Sequence, residues 1–413
     1  MPEPPASSGY PPSPDGRAAL DRLRSFLSET ALPLCAELEA RRPDAAFALE
    51  SDGRLAHDLV ALKRRMHEAS AAAGLYCPHL PERDGGLGLS LRDCFYLQEE
   101  VFRHGLRGQQ WSLAWTDGPS PLASSWSAEA RERYLPDFVA GRTNACFALT
   151  EPETGSDFSA LVTTARRDGE AYVLAGRKHL ITGAPFAELA QVFARLEGAP
   201  RGSLTAFLVP LDAPGVERGL VQQTIMADGQ TGEIVFHEVR VPPWALLGAE
   251  HGGLALAFRW INWARTRRGG MCSGLARYCL ERSVAYARRR RAFGRPIAEL
   301  GAVAQMLADM HMELEAMRAL SLELLVRLDS GRLFDGEVTA GERRDVSVLK
   351  TWCDEALFGI ADLAIQVHGG RGLLTETGLE KIFRVARNLR IPAGTTEVQR
   401  AVIARALEED APP

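Results

Sequence analysis

Between Gly141 and Gly248 the chain changes texture, and that change limits the folds open to it. Short runs of β-formers at residues 191–194, 204–209, 233–236 and 239–241 alternate with turns of Gly, Pro and Asp. Regular short strands with turn residues between them predict a small antiparallel β-domain. Val241-Pro242-Pro243 ends the last strand, because proline has no N–H to give to a ladder. On either side the apolar spacing becomes helical. Leu20, Leu23, Phe26 and Leu27 make one face, and Leu59, Leu62 and Met66 a second. Tyr96, Val101 and Phe102 fall in a further helix, and residues 128–135 close the region. Beyond Gly252, Val303, Met306, Leu307, Met310, Leu314 and Met317 trace one long face. Leu349, Trp352, Ala356, Leu357, Ile360 and Leu363 trace another, the pattern of a bundle.

A chain of 413 residues is too long for one core. The expected fold class is α+β. A disordered tail (1–16) precedes an N-terminal all-α domain (17–140), a middle antiparallel β domain (141–248) and a C-terminal four-helix bundle (249–413). The tail, Met1–Gly16, is rich in Pro and Ser with no apolar core, so a signal peptide is not expected and the cytoplasm is the default compartment. A net charge of −5 gives no general attraction to nucleic acid or to an anionic membrane, and neither is expected as a partner. No run approaches the ~18 consecutive apolar residues of a membrane span. The seven cysteines contain no C-x-x-C pair and the nine histidines no ligand spacing, so no metal is expected.

The chemistry-bearing stretch runs from Cys146 to Gly183. Its apolar start, Cys146-Phe-Ala-Leu-Thr, reads as a strand that Pro152 stops. Gly155-Ser156-Asp157 then offers backbone N–H groups and a hydroxyl without bulk, which suits a phosphate or a polar cofactor edge. Residues 172–174, Gly176-Arg177-Lys178 and Leu180-Ile181-Thr182 read as a hairpin about a glycine turn. Three further segments stand out: Arg290-Arg-Ala-Phe-Gly-Arg-Pro-Ile, Gln366-Val-His-Gly-Gly-Arg-Gly, and Ile391-Pro-Ala-Gly-Thr-Thr-Glu-Val-Gln-Arg. On its own, the arginine run at 288–291 is more simply a solvated helix end. The glycine pair alone is more simply a turn.

Together and in this order, these segments resemble the flavin-dependent acyl-CoA dehydrogenase family. That family shows T-E-P-x-x-G-S-D followed by G-x-K-x-x-I-T, then R-x-x-F-G-x-P-I, Q-x-x-G-G-x-G and G-T-x-x-x-x-R. Pro78-His-Leu-Pro-Glu-Arg-Asp-Gly-Gly-Leu-Gly is similar to its P-x-x-x-G-G-x-G loop. The resemblance covers about Leu20 to Leu407. It implies FAD, with Phe147, Leu149, Thr150, Gly155, Ser156, Ile181 and Thr182 at the flavin. Arg290 and Phe293 of a neighbouring chain, with Gln366, Gly369, Gly370, Thr395 and Glu397, complete the cofactor set. A guanidinium such as that of Arg290 forks onto phosphate oxygens. Ser156, Asn262, Arg265 and Arg405 are implied at the substrate, an acyl-CoA or acyl-carrier-protein thioester. A homo-oligomer, tetramer or dimer, is implied; a hetero-oligomer and transfer to electron-transfer flavoprotein stay open.

Four departures accompany the likeness. Two glutamines often found after the R-x-x-F-G segment are Gly301 and Ala304, and a tryptophan before Ile181 is Leu180. The glutamate that most members place before the Gly-Thr pair is Ala393. The alternative seat of that base, on the first bundle helix, is Ala264. Asp117 and Glu376 are the remaining candidates for a base. Three readings therefore stay open: an acyl-CoA dehydrogenase with a relocated base, a flavoenzyme of the same fold with other chemistry (a monooxygenase or an enoyl-thioester reductase), or a non-catalytic FAD-binding partner subunit.

Overall fold

A computed structural model describes residues 9–41, 49–329, 332–335 and 338–409. The chain divides into two compact units. The first holds residues 1–44, 89–110 and 264–413, and the second holds 45–88 and 111–263.

The first unit is helical. Its helices are α1 (Pro14–Phe26) and α2 (Leu32–Arg41), which flank a wider turn at Leu27–Ala31. In the second unit lie α3 (His57–Ala72) and α5 (Ala128–Val139), while α4 (Leu91–Phe102) belongs to the first. The unit boundary falls inside α6 (Gly253–Thr266). There follow α7 (Arg268–Arg289), α8 (Gly301–Leu328), the short α9 (Arg332–Asp335), α10 (Ala340–His368), α11 (Leu379–Leu389) and α12 (Thr396–Glu409). Helices α7, α8, α10 and α12 form the bundle: α10 packs on the other three, and α4 lies along α7.

Capping sets where these helices begin. Ser13 caps α1 by accepting from the Gly16 N–H, with Pro14 in the first turn. Ser90 caps α4 by accepting from the Asp93 N–H. The buried Asp93 carboxylate accepts from Ser13 N, Ser13 Oγ and Ser90 Oγ, so one acid serves both helix starts. The first eight residues of the expected tail lie outside the described residues, but its end is a correction: helix begins at Pro14 because this cap is already assembled. Helix α10 opens with a reciprocal capping box between Thr339 and Glu342.

Alpha-7 can lie close to α4 because it is rich in glycine there. A Cβ on Gly270 would stand 2.4 Å from the Phe95 carbonyl, and one on Gly274 2.6 Å from that of Glu99. Helix α7 begins at Arg268, so these glycines sit inside the helix. On α8 the expected face buries Met310, Leu314 and Met317. On α10 it buries Leu349, Leu357 and Ile360, but Trp352, in the middle of the expected stripe, is 43% exposed. Cys353 and Asp354 turn inward in its place.

The second unit is built on one eight-stranded sheet. Its strands are β1 (Ala145–Ala148), β2 (Thr164–Asp168), β3 (Ala171–Thr182), β4 (Leu189–Leu196), β5 (Thr205–Pro210), β6 (Val216–Val221), β7 (Thr231–Val241) and β8 (Leu246–Leu247). Their order is β6-β7-β3-β2-β4-β5-β8, with β1 added alongside β4. Most pairings are antiparallel; β4 runs parallel to both β1 and β2. The core of the sheet comprises Cys146, Ala148, Leu174, Ile181, Ala190, Val192, Phe207, Val209, Ile234 and Phe236 among others.

Two sequence expectations need correcting here. The runs at 233–236 and 239–241 are parts of one strand, β7. The hairpin expected about Gly176 is also one continuous strand, β3. Gly176 is needed for another reason. At φ 148° it bulges against β7, and a Cβ there would stand 2.8 Å from the Thr163 Cα. Glycine permits that close backbone approach.

Candidate functional site

In the sheet unit, the stretch 146–183 is organised by one buried ion pair. Lys178 alternates inward on β3 and is fully buried; its Nζ lies 2.8 Å from Glu151 Oε1 and donates to the Leu149 carbonyl at 3.0 Å. Glu151 in turn accepts from the Val162 N–H at 2.7 Å and the Thr163 N–H at 2.9 Å. The loop between β1 and β2 is therefore fastened at both ends to β3. Burial draws the Lys178 ammonium down to about 8, with Glu151 opposing that shift. Burial works to raise the Glu151 carboxyl, yet the Lys178 charge and the hydrogen bonds hold it below its ordinary value. The pair is ionised near neutral pH.

This fastening leaves the tip of the loop open. Gly155 and Ser156 are exposed, and nothing lies within 4 Å of where a Gly155 Cβ would stand. Asp157 turns back to accept from Ser159 N, so its carboxylate is not directed at the tip. Thr150 and Thr182 are half-buried. Leu149 and Ile181 are buried, and Ile181 belongs to the sheet core, which leaves its backbone as the part a ligand could meet. Beside it Leu180 takes φ 55° at a register shift between β3 and β7, and its side chain is 51% exposed.

Phe147 points away from that core. Its ring stacks on Trp260 of α6 (centroids 4.1 Å apart, planes 7° apart) and tilts against Phe193 at 4.9 Å. Asn262 is buried in the same unit. Asp117 is not disposed as a base would be. It is buried with its Oδ2 2.6 Å from Lys63 Nζ; burial works to raise its carboxyl, but nearby positive charge, Lys63 first, and hydrogen bonds together keep it below its ordinary value. An acid held ionised by a buried ammonium is a weak proton acceptor.

In the helical unit, the segment before α12 is shaped around Ala393 and Gly394, at φ 60° and 91°. The Ala393 carbonyl accepts from Arg265 Nε at 2.9 Å and Gln399 Nε2 at 3.4 Å. At φ 91° a side chain on Gly394 would be strained, and its Cβ would stand 2.3 Å from Gln399 Nε2, displacing that arm of the clamp. Burial lowers the Arg265 guanidinium to about 10, with Arg268 adding to the shift. It stays charged at neutral pH. Ala264 precedes it on α6 and is half-buried. Neither alanine has a group that accepts a proton.

The other implied residues of this unit lie at its surface. Arg290 is exposed at the end of α7, and Phe293 is 92% exposed at φ 51° beside Gly294. Gln366, Gly369 and Gly370 are exposed, with open space where a Cβ of either glycine would stand. The turn they make is held from below: His368 stacks on Tyr286 at 4.4 Å and its Nδ1 meets the Ala364 carbonyl at 2.8 Å. Thr395 is half-buried; Glu397 and Arg405 are exposed. Glu376, the second base candidate, is exposed, with its nearest charged partner Arg371 at 3.5 Å.

The sequence reading named none of Glu151, Lys178, Gln399 or Trp260 as site residues. Glu151 and Lys178 were visible only as letters of the motifs, and a lysine at an inward position of a strand was the signal that it needed a partner. Among the described residues no group of three or more His, Cys, Asp or Glu could hold a metal, and no helix is long and apolar enough to cross a membrane.

Comparison with known proteins supplies the remaining findings. Residues 13–142, 146–239 and 251–408 match the N-terminal, middle and C-terminal domain families of acyl-CoA dehydrogenase. The chain is 33% identical to cyclohexane-1-carbonyl-CoA dehydrogenase of Geobacter metallireducens, over 76% of this chain and 80% of that one. It is also 33% identical to the human mitochondrial short-chain specific acyl-CoA dehydrogenase, over 80% of this chain and 79% of that protein. Among solved structures it resembles an acyl-CoA dehydrogenase from Bacillus anthracis complexed with FAD, with a TM-score of 0.81 and 26% identity. That match covers 96% of this chain and 67% of the other.

Proposed function

The chain belongs to the acyl-CoA dehydrogenase family, and on that footing we propose that it is an FAD-dependent oxidoreductase acting on the α,β C–C bond of an acyl thioester. The observation that carries this reading is the loop 150–157. The buried Glu151–Lys178 pair holds it at its base, and Gly155 and Ser156 stand open at its tip. Built turns with free backbone suit a cofactor's polar edge and phosphates. The open glycine pair Gly369–Gly370 and the exposed guanidinium of Arg290 supply the same chemistry in the helical unit.

FAD, when bound, supplies the acceptor for the β-hydride. The residues of this chain do the rest. Phe147, Thr150, Ser156 and Thr182 orient the flavin on the sheet, with Leu149 and Ile181 lending backbone. Arg290 and Phe293 reach the cofactor of a neighbouring copy, and Gln366, Thr395 and Glu397 frame it. Arg265 fixes the carbonyl of Ala393 and so the course of the loop that borders the thioester. For the acyl-CoA or acyl-carrier-protein substrate, the helical unit offers Arg265 and Arg405 and the sheet unit offers Asn262. Ala393 and Ala264 occupy both seats of the usual proton acceptor, and Asp117 is already engaged by Lys63. The chain is thus organised to bind and polarise a saturated thioester but to deprotonate it slowly. The acceptor of the electrons is electron-transfer flavoprotein or oxygen.

Removing Arg290 tests the cofactor assignment. Arg290→Ala should lose most of its flavin on dilution and gel filtration, because a guanidinium able to fork onto phosphate oxygens is replaced by a methyl. Full flavin occupancy in that variant overturns the assignment. The chain should also assemble as a dimer or tetramer, since Phe293, Trp352, Leu373 and Met312 are all exposed on the helical unit. Apolar surface of this kind suits burial against a second copy where it is contiguous. Light scattering at micromolar concentration should give at least twice the 45.0 kDa chain mass, and a mass near 45.0 kDa contradicts the assembly.

A further inference from the structure

The aromatic face of the sheet carries a polar group that the reaction above does not use. Gln191 is 1% exposed, in the middle of β4. Both of its amide atoms, Oε1 and Nε2, have no hydrogen-bond partner among the described residues. Strand alternation decides which way it points. Ala190, Val192 and Ala194 belong to the sheet core, so Gln191 and Phe193 point to the opposite face. Gln191 is also the register partner of Phe147 on β1 and of Leu208 on β5. Phe147 touches both Phe193 and Trp260, so α6 covers this face. Trp260 is 8% exposed, and its indole Nε1, a donor, is likewise buried with no partner among the described residues. Trp263 lies edge-on to Trp260 at 6.1 Å.

An aromatic layer with one or two convergent polar groups is how proteins line a site for a small molecule. The large majority of buried side-chain polar atoms in native structures have a hydrogen-bond partner. Gln191 and Trp260 carry no charge and suit a neutral group; Arg195, whose Nε is also buried without a partner among the described residues, lies beyond Phe193 on this face of β4. On the proposed function above, the flavin's polar edge belongs to the loop 150–156, beyond the end of β1.

We infer that Gln191, with the indole N–H of Trp260, recognises a hydroxyl on the acyl chain, and that the preferred substrate is a hydroxyacyl thioester. A hydroxyl both donates and accepts, matching the amide oxygen on one side and the amide or indole N–H on the other. The inference rests on the acyl-thioester reading above. A site built to hydrogen-bond a hydroxyl discriminates against the analogue lacking it, because its own polar groups are then left unpaired.

The test uses the flavin-loaded protein, titrated anaerobically with hexanoyl-CoA and with its 4-, 5- and 6-hydroxy analogues while the flavin absorption band is followed. At least one hydroxy analogue should bind ~10-fold or more tightly than hexanoyl-CoA. Gln191→Leu should reverse that order while keeping its flavin and an equal or higher unfolding midpoint. Equal binding of all four thioesters by the unaltered protein overturns the inference. So does a Gln191→Leu variant that weakens all four by one common factor, or one that sheds flavin. If none of the four perturbs the flavin, the acyl-thioester reading itself fails, and this inference with it. Should Gln191→Leu not fold, Gln191→Met and the preference of the unaltered protein decide the matter.

Discussion

Glu151→Gln is expected to lower the midpoint of thermal unfolding by roughly 10 °C and to weaken flavin retention. Lys178 is fully buried, and Glu151 is its carboxylate partner at 2.8 Å. Removing one member of a buried pair strands the other charge and typically costs about 3–5 kcal/mol. In a domain of this size each kcal/mol moves the midpoint by roughly 2–4 °C. The variant keeps one carbonyl oxygen, for either the Val162 or the Thr163 N–H, and sets an NH2 against the other, so the loss combines the stranded ammonium with one broken hydrogen bond. Glu151 is held below its ordinary value, so its stabilisation is full above the ordinary carboxylate range and disappears as pH falls through the lowered one. Scanning calorimetry from pH 7 downward should therefore show the two proteins converging in acid. Replacing both partners, Glu151→Leu with Lys178→Met, should recover much of the midpoint, because no charge is left buried. An unchanged midpoint for Glu151→Gln, or a double variant worse than the single one, contradicts this account of the loop.

The β-domain was legible because its turns are spelled out in Gly, Pro and Asp between short β-rich runs. The bundle was legible because Met310, Leu314 and Met317 repeat at helical spacing on a face that is in fact buried. What escaped the sequence depended on long-range contact. Gly176 reads as a turn residue in any window, and only the approach of Thr163 explains why a straight strand needs it. Ser13-Pro14 reads as tail until Asp93, 80 residues away, is brought to its cap. Trp352 fits the helical stripe as well as Leu349 does, yet it faces outward. The site motifs were readable as words, whereas the Glu151–Lys178 pair, the Arg265 and Gln399 clamp on Ala393, and the placement of Gln191 exist only once the strands and loops are registered.

The second large effect concerns proton removal. Ala393→Glu should raise the rate of anaerobic flavin bleaching by a saturated acyl-CoA by at least ~10²-fold, the lower end of what a general base contributes. Ala393 already sits at φ 60° with its carbonyl held by Arg265 and Gln399, so a longer side chain adds no new backbone strain and inherits a fixed loop. Ala264→Glu is the same test from α6, where a glutamate costs the helix little. Asp117→Asn should leave the chemistry unchanged and act on stability alone, since Asp117 partners Lys63.

One anaerobic stopped-flow measurement therefore bears most directly on the account: the flavin-loaded, unaltered protein and Ala393→Glu, each mixed with a series of saturated acyl-CoA thioesters. The account predicts that both proteins perturb the flavin band on binding, that the unaltered protein then bleaches slowly, and that Ala393→Glu bleaches at least ~10²-fold faster. Rapid bleaching by the unaltered protein, lost on Asp117→Asn or Glu376→Gln, would contradict it and place the base at the residue whose loss abolishes the reaction.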